Sequence, residues 1–297
     1  MITAVKKGKF RPGNLVIHGV FTFLALGCIV PMLLVVILSV SDTKSIVEHG
    51  YSLFPSKLSI EAYQYIFRSP KLILDSYGTT LFVTIVGTGV GLILTAMIAY
   101  ALSRRDYKLA GIVGFLVFFS MLFNAGMIPN YIIFTKYYLM KDTYWILILP
   151  GLINSWNIIL LRTFFFDLPQ EVLESASIDG CSEMRIFWQM VLPISKPALA
   201  TIGLMMMLGY WNEWTRSMIY IDTESKYMLQ YLLYKILRNA EEMMKDSQVG
   251  MSLGAAEFPS DSAKMAMAVI AAGPMMFVFP FFQKYFVRGI TSGAVKG

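Results

Sequence analysis

Long apolar runs separated by short polar intervals dominate the chain, and their length matches a bilayer better than a globular core. Roughly 20 apolar residues in helical form cross about 30 Å of hydrocarbon. Six runs are near that length with charge only at their ends: Leu15 to Val40, Ser76 to Leu102, Leu109 to Ile128, Tyr144 to Leu161, Pro197 to Ile221 and Met265 to Phe282. Pro150, Gly151 and Asn154 interrupt the fourth. No linker, low-complexity tract or repeat divides the chain, so the pattern predicts an all-α polytopic membrane protein with about six transmembrane helices in one domain spanning residues 1–297. The first run follows Lys6, Lys7, Lys9 and Arg11 as a signal peptide would, but it is about twice the usual 7–15-residue apolar core and lacks a small-x-small cleavage site. It is expected to remain as a helix.

Composition agrees with the pattern. A mean hydropathy of +0.60, with 21 Phe, 16 Tyr and 20 Met among 297 residues, is more apolar surface than one soluble core hides. Cys28 and Cys181 are the only cysteines, which leaves no disulfide framework and no CxxC metal site. The net charge of +6 does not point to nucleic acid, because the basic residues are scattered between apolar blocks. They carry orientation instead: the short interval Ser103 to Lys108 holds Arg104, Arg105 and Lys108, which places it and the amino terminus in the cytoplasm. Parity then puts Asp42 to Asp75, Pro129 to Thr143 and Asp222 to Lys264 outside, and returns residues 167–195 and the tail 283–297 to the cytoplasm. Gly87, Gly89 and Gly91 lie inside the second run and read as a helix-packing face, since the third glycine of GxGxxG is missing.

One polar stretch breaks the apolar character. Asp167, Glu171, Glu174, Asp179 and Glu183 crowd into 17 positions just before the fifth run. The order reads helix, glycine, helix. Asp167 is expected to cap the first helix with Pro169 near its start, Gly180 to stop it in a left-handed conformation, Ser182 to cap the second, and Pro193 to close that one. Ile186 with Met190 and Phe187 with Val191 form an apolar face at i, i+4, away from Glu183, Arg185 and Gln189. Such acidity is repelled by an anionic inner leaflet. The hairpin therefore packs on its own chain or docks into another protein.

Glu174-Ser175-Ala176, three residues, Gly180, nine residues and Met190-Val191-Leu192-Pro193 resemble the EAA loop of the permease subunits of bacterial ABC importers. Ser175 replaces the first Ala of that pattern and Met190 its Ile. DTYWILILPGLINSWNIILLRTFFFDLPQE, LPISKPALATI and the ending FFQKYFVRGITSGAVKG are similar to the sugar-importer branch that handles oligosaccharides and polysaccharide fragments. The resemblance implies a coupling helix set in a groove of an ATP-binding subunit, with Glu171, Glu174, Ser175, Ala176, Asp179, Gly180, Glu183 and Arg185 in the docking region. It also implies an ATP-binding subunit dimer, a second permease, an extracytoplasmic sugar-binding protein, and alternating access in a bacterial cytoplasmic membrane.

The chain has no GxxxxGK[ST] to cradle phosphates. No cofactor is expected on it, and ATP with magnesium belongs to a partner subunit. His18 and His49 stand far apart, and neither HExxH nor GxSxG occurs, so zinc and Ser-His-Asp chemistry are not supported. Two other readings share the composition. A membrane-embedded glycosyltransferase-like enzyme would use Asp42, Glu48, Glu61 or Asp75, which lie among Lys44, Lys57, Arg68 and Lys71. A secondary sugar transporter would more often show an internal repeat. For the sugar route, Tyr210-Trp211-Asn212-Glu213-Trp214-Thr215-Arg216 places aromatic planes and forked polar groups near one end of the fifth run. Trp211, Asn212, Glu213 and Arg216, with Asn154, Trp156 and Asn157 from the fourth, are the candidate path. Interfacial anchoring and an Arg216 pair one turn back are the alternatives.

Overall fold

In the computed structural model, residues 12–245 and 260–293 are described. The chain divides into two compact units, residues 1–68 with 237–270, and residues 69–236 with 271–297.

The first unit opens with α1 (Pro12–Ser39), whose side chains from Val16 to Val30 are all exposed, as suits a helix whose solvent is lipid. A short polar segment follows, with α2 (Thr43–His49) and α3 (Glu61–Ile66). The Ser39 and Tyr63 hydroxyls share a hydrogen bond of 2.9 Å, and Lys57 pairs with Asp42 at 3.4 Å.

The second unit is organised by α4 (Pro70–Ser103), 34 residues long. Proline suits its first position because the missing N–H there has no intrahelical partner. Its polarity is sorted inside out. Ser76, Thr80, Thr84, Gly87, Thr88, Gly91 and Thr95 are buried, while Phe82, Ile85, Val90 and Ile93 are exposed. Lipid is as apolar as leucine, so helices associate through small residues that permit close approach rather than by hiding large ones. α4 runs along both α8 (Ser155–Phe166) and α12 (Lys196–Trp211).

Three of the predicted runs are broken. The third ends early: α5 (Ala110–Leu122) stops, Asn124 Oδ1 accepts the Gly126 N–H at 2.9 Å, Gly126 takes φ +89°, and the chain leaves at 111°. The segment expected as an outer loop is then helical, through α6 (Met127–Ile132) and a π-turn to Tyr137. The fourth run is α7 (Tyr144–Ile148), a 3₁₀ turn over Leu149–Gly151, and α8, bent by 45° where Pro150 interrupts. The fifth parts at Asn212–Trp214 into α12 and α13 (Thr215–Tyr220). The chain then passes through α14 (Leu229–Lys245), and α15 (Ser260–Gly293) carries the sixth run onward through Pro274 and Pro280. Among the described residues, three helices can cross a membrane by length and composition, or up to six spans if each bent pair counts as one. Residues 1–11 and 294–297, parts of the two expected cytoplasmic ends, lie outside the described residues.

Candidate functional site

Two features gather the predicted residues, a helical hairpin and a cavity. The hairpin comprises α9 (Gln170–Ile178), α10 (Glu183–Ile186), a π-turn over Phe187–Val191 and α11 (Leu192–Ile194). Asp167 does not cap α9. Its backbone is still helical and closes α8, its N–H reaching Thr163 O at 3.3 Å, and Pro169 takes the capping position instead.

Gly180 stops α9 with φ +82°. Its N–H reaches Ser177 O at 3.1 Å while Cys181 N–H reaches Ala176 O at 3.0 Å, the paired bonds of a Schellman ending. Ser182 accepts from Arg185 N–H at 3.4 Å and so caps α10. Arg185 Nε donates to Gln189 Oε1 at 3.0 Å. Pro193 stands in the last turn, and the chain bends by 83° into α12.

One side of the hairpin is apolar and buried: Leu173, Ala176, Ile186, Phe187 and Val191 pack with Tyr100 and Leu102 of α4, Phe165 of α8 and Ala198 of α12. Ala176 thus faces the hairpin's own supports. Glu171, Glu174, Ser175, Asp179, Gly180, Glu183 and Arg185 are exposed. Ile178, Met184 and Trp188 share that exposure at 86, 53 and 47% and were not singled out in the sequence. The signal was available: Ile178 follows Glu174 by one helical turn. Glu183 is tethered, its Oε2 accepting from the Tyr100 hydroxyl at 2.6 Å and its Oε1 from Arg104 at 2.9 Å.

The cavity, about 520 Å³, lies where the fourth and fifth runs break. In α-geometry Leu152 N–H would bond Ile148 O. It turns to Leu149 O instead (3.2 Å), and Ile148 O accepts the Tyr210 hydroxyl at 2.8 Å. Asn154 caps α8 by accepting from Asn157 N–H at 3.2 Å. On the facing element Glu213 accepts from Arg216 N–H at 3.0 Å and pairs with its guanidinium at 3.2 Å, while that guanidinium also donates to Leu147 O at 2.9 Å. The arginine therefore stitches α13 to α7 and its charge is matched.

Asn154, Trp156, Asn157, Glu213 and Arg216 all line the cavity, and Trp156 is 53% exposed. Trp211 and Asn212 do not line it. Trp211 is buried, donates Nε1–H to Ala271 O at 2.8 Å and packs beside Tyr77. Asn212 donates to Leu208 O at 2.9 Å and accepts from Gln230. From α12, Met205, Met206, Gly209 and Tyr210 add to the wall, with Met206, Gly209 and Tyr210 at the i, i+3, i+4 spacing of one helix face, and Glu213 joins from the break beyond it. Trp211 falls off that face, and Asn212 closes the helix as its C-cap.

Residues 109–292 match the family described as Binding-protein-dependent transport system inner membrane component. The chain is 39% identical over 290 residues to the polygalacturonan/rhamnogalacturonan transport system permease protein YtcP of Bacillus subtilis (strain 168), covering 97% of this chain and all of that one. It is 27% identical over 284 residues to the arabinooligosaccharides transport system permease protein AraQ of Halalkalibacterium halodurans, covering 93% and 94%. Among solved structures, a chain of a bacterial ABC transporter involved in the import of the acidic polysaccharide alginate superposes with a TM-score of 0.76 at 28% identity, over 96% of this chain and all of that one.

Proposed function

Because the chain belongs to the inner membrane components of binding-protein-dependent transport systems, we propose that it passes oligosaccharides or polysaccharide fragments inward through a path that includes the cavity at the broken fourth and fifth spans. The observation that carries this reading is the cavity's lining. Trp156 offers an aromatic plane to a sugar ring face, and Asn154 and Asn157 bring amides to hydroxyls, at a depth where polar side chains otherwise face protein or water. Arg216 is matched by Glu213 and Leu147 O, so this wall suits neutral hydroxyl and ring contacts, and any carboxylate on the substrate is met elsewhere.

Movement of the sugar then follows alternating access. A dimer of ATP-binding subunits holds ATP with magnesium, engages the exposed side of the hairpin, and closes. A second permease faces this chain, and an extracytoplasmic binding protein delivers the sugar. Both termini and the hairpin lie in the cytoplasm of a bacterial cell, supported by the Arg104, Arg105 and Lys108 interval. The test is substrate-stimulated ATP hydrolysis in the assembled complex with a panel of uronate-bearing and neutral oligosaccharides, for the parent chain and Trp156→Ala. Loss of stimulation in Trp156→Ala with basal hydrolysis and assembly retained supports the path. Unchanged stimulation and apparent affinity would remove the cavity from it.

A further inference from the structure

The hairpin's apolar contacts hold it against the helix ends without fixing its rotation, since apolar packing is non-directional. Direction comes from three polar groups. Tyr100 is buried in α4, its ring 5.4 Å from Phe187 of the hairpin and 6.4 Å, edge-on, from Phe165 of α8. Its hydroxyl donates to Glu183 at 2.6 Å, and Arg104, at the C-cap of the same helix, donates to the other carboxylate oxygen at 2.9 Å. Both bonds are charge-assisted, and together they hold the carboxylate in two directions.

The far side of this clamp is α4 itself. A helix of 34 residues is about 51 Å long at 1.5 Å per residue. Further along it, Gly87 and Gly91 meet Tyr210 and Met206, both of which line the cavity. Near its other end, Thr80 Oγ1 accepts Leu229 N–H at 2.8 Å and Thr79 donates to Ser225 O at 3.4 Å. One continuous element thus joins the hairpin, the cavity wall and the segment beyond it.

Resting on the importer reading above, we infer that Tyr100 and Arg104 are positioning residues that clamp the hairpin to α4 through Glu183, so that hairpin displacement by the ATP-binding subunits reaches the cavity as movement of α4. Apolar packing keeps the hairpin docked, and the clamp makes its motion α4's motion. The clamp predicts a separation of effects: losing it leaves assembly and ATP hydrolysis in place and disconnects them from the cavity.

The experiment uses the complete complex in lipid nanodiscs, in a background with Cys28 and Cys181 replaced by Ser. A reporter thiol at Ile153→Cys, on the cavity wall, is labelled with a hydrophilic maleimide, without nucleotide and after trapping with magnesium-ATP and vanadate. The parent reporter is expected to change its labelling rate on trapping. Tyr100→Phe and Arg104→Gln are each expected to reduce that ratio by about tenfold, the scale of one charge-assisted hydrogen bond. Hydrolysis and the melting temperature of the complex stay near parent values, and Arg104→Lys restores part of the ratio. An undiminished ratio in both variants overturns the inference while leaving the importer reading intact. Failed assembly of Tyr100→Phe also overturns it, by making the clamp a folding contact. No change on trapping in the parent reporter overturns the importer reading, and this inference with it.

Discussion

Tyr210 fills the space that a side chain at Gly87 would need: a Cβ there would stand 2.5 Å from the ring's Cζ. The ring cannot yield easily, because it is buried and its hydroxyl is held by Ile148 O. Two positions along the same helix, a Cβ at Gly89 would meet nothing within 4 Å. Gly87→Ala should therefore destabilise the protein by about 1–3 kcal/mol, the scale of overpacking, while Gly89→Ala stays near neutral. Thermal unfolding of the purified complex in detergent checks this, and equal melting temperatures for the two variants would refute the assigned contact.

Gly180 presents the opposite case. A Cβ there has open space, yet φ is +82°, so only the backbone opposes substitution. A left-handed conformation costs an L-residue about 1–2 kcal/mol, more for a β-branched one. Gly180→Val should misplace the exposed acids Glu171 and Glu174 and depress uptake strongly at normal membrane abundance, with Gly180→Asn intermediate. Normal uptake and assembly in the valine variant would sink the idea, and low abundance would assign Gly180 to folding instead.

Asp142 is a non-glycine residue at φ +58° whose carboxylate accepts from Thr223 Oγ1 at 2.6 Å, Thr223 N–H at 3.0 Å, Asp222 N–H at 3.2 Å and Lys226 at 3.1 Å. Burial raises its pKa, but these donors outweigh that and hold the carboxyl down at about 2, below the ordinary 3.8. With the folded value depressed, the contribution is complete above pH ~4.5 and is lost as the pH falls toward 2. The stability gap between parent and Asp142→Asn should be flat from pH 7 to about 4.5 and shrink below that. Asp142→Ala should cost more, about 1 kcal/mol or above, because the donors lose their acceptor and alanine tolerates this backbone less well. Denaturation followed across pH tests both, and a gap that widens in acid would contradict the assignment.

Orientation has its own measurement. Single cysteines replacing Lys108 and Ser182, without Cys28 and Cys181, should be shielded from an impermeant thiol reagent in intact cells, whereas one replacing Lys57 should react. The reverse pattern would invert the topology. Protection of Ser182→Cys in broken cells only when the ATP-binding subunit is present would support docking of the hairpin.

Much of this was readable along the chain because membrane solvation and helix endings are local. An apolar run is read over about 20 contiguous residues, and a glycine that takes positive φ or a serine that caps the next turn depends on neighbours within about one turn of helix. The hairpin from Gln170 to Ile194 and its stop at Gly180 follow from such terms. Breaks within spans were less legible. Pro150 announced one, but Asn124 and Gly126 lie in a run whose average hydropathy hides them.

The sequence by itself determined that this is an all-α membrane protein with a polar helical hairpin of importer-permease type, because backbone bonds in lipid must close within helices and the hairpin pattern is contiguous. Only the tertiary structure decided which residues meet. Trp211 and Glu213 are two positions apart, yet one is buried against Tyr77 and Ala271 and the other lines the cavity. Along the chain Glu183 is one acid among five, and only the fold shows that Tyr100 and Arg104, about 80 positions earlier, hold its carboxylate. Such pairings depend on how helices are rotated and stacked. In lipid that is set by close packing of small residues and by partners for polar groups, which no single stretch of chain contains.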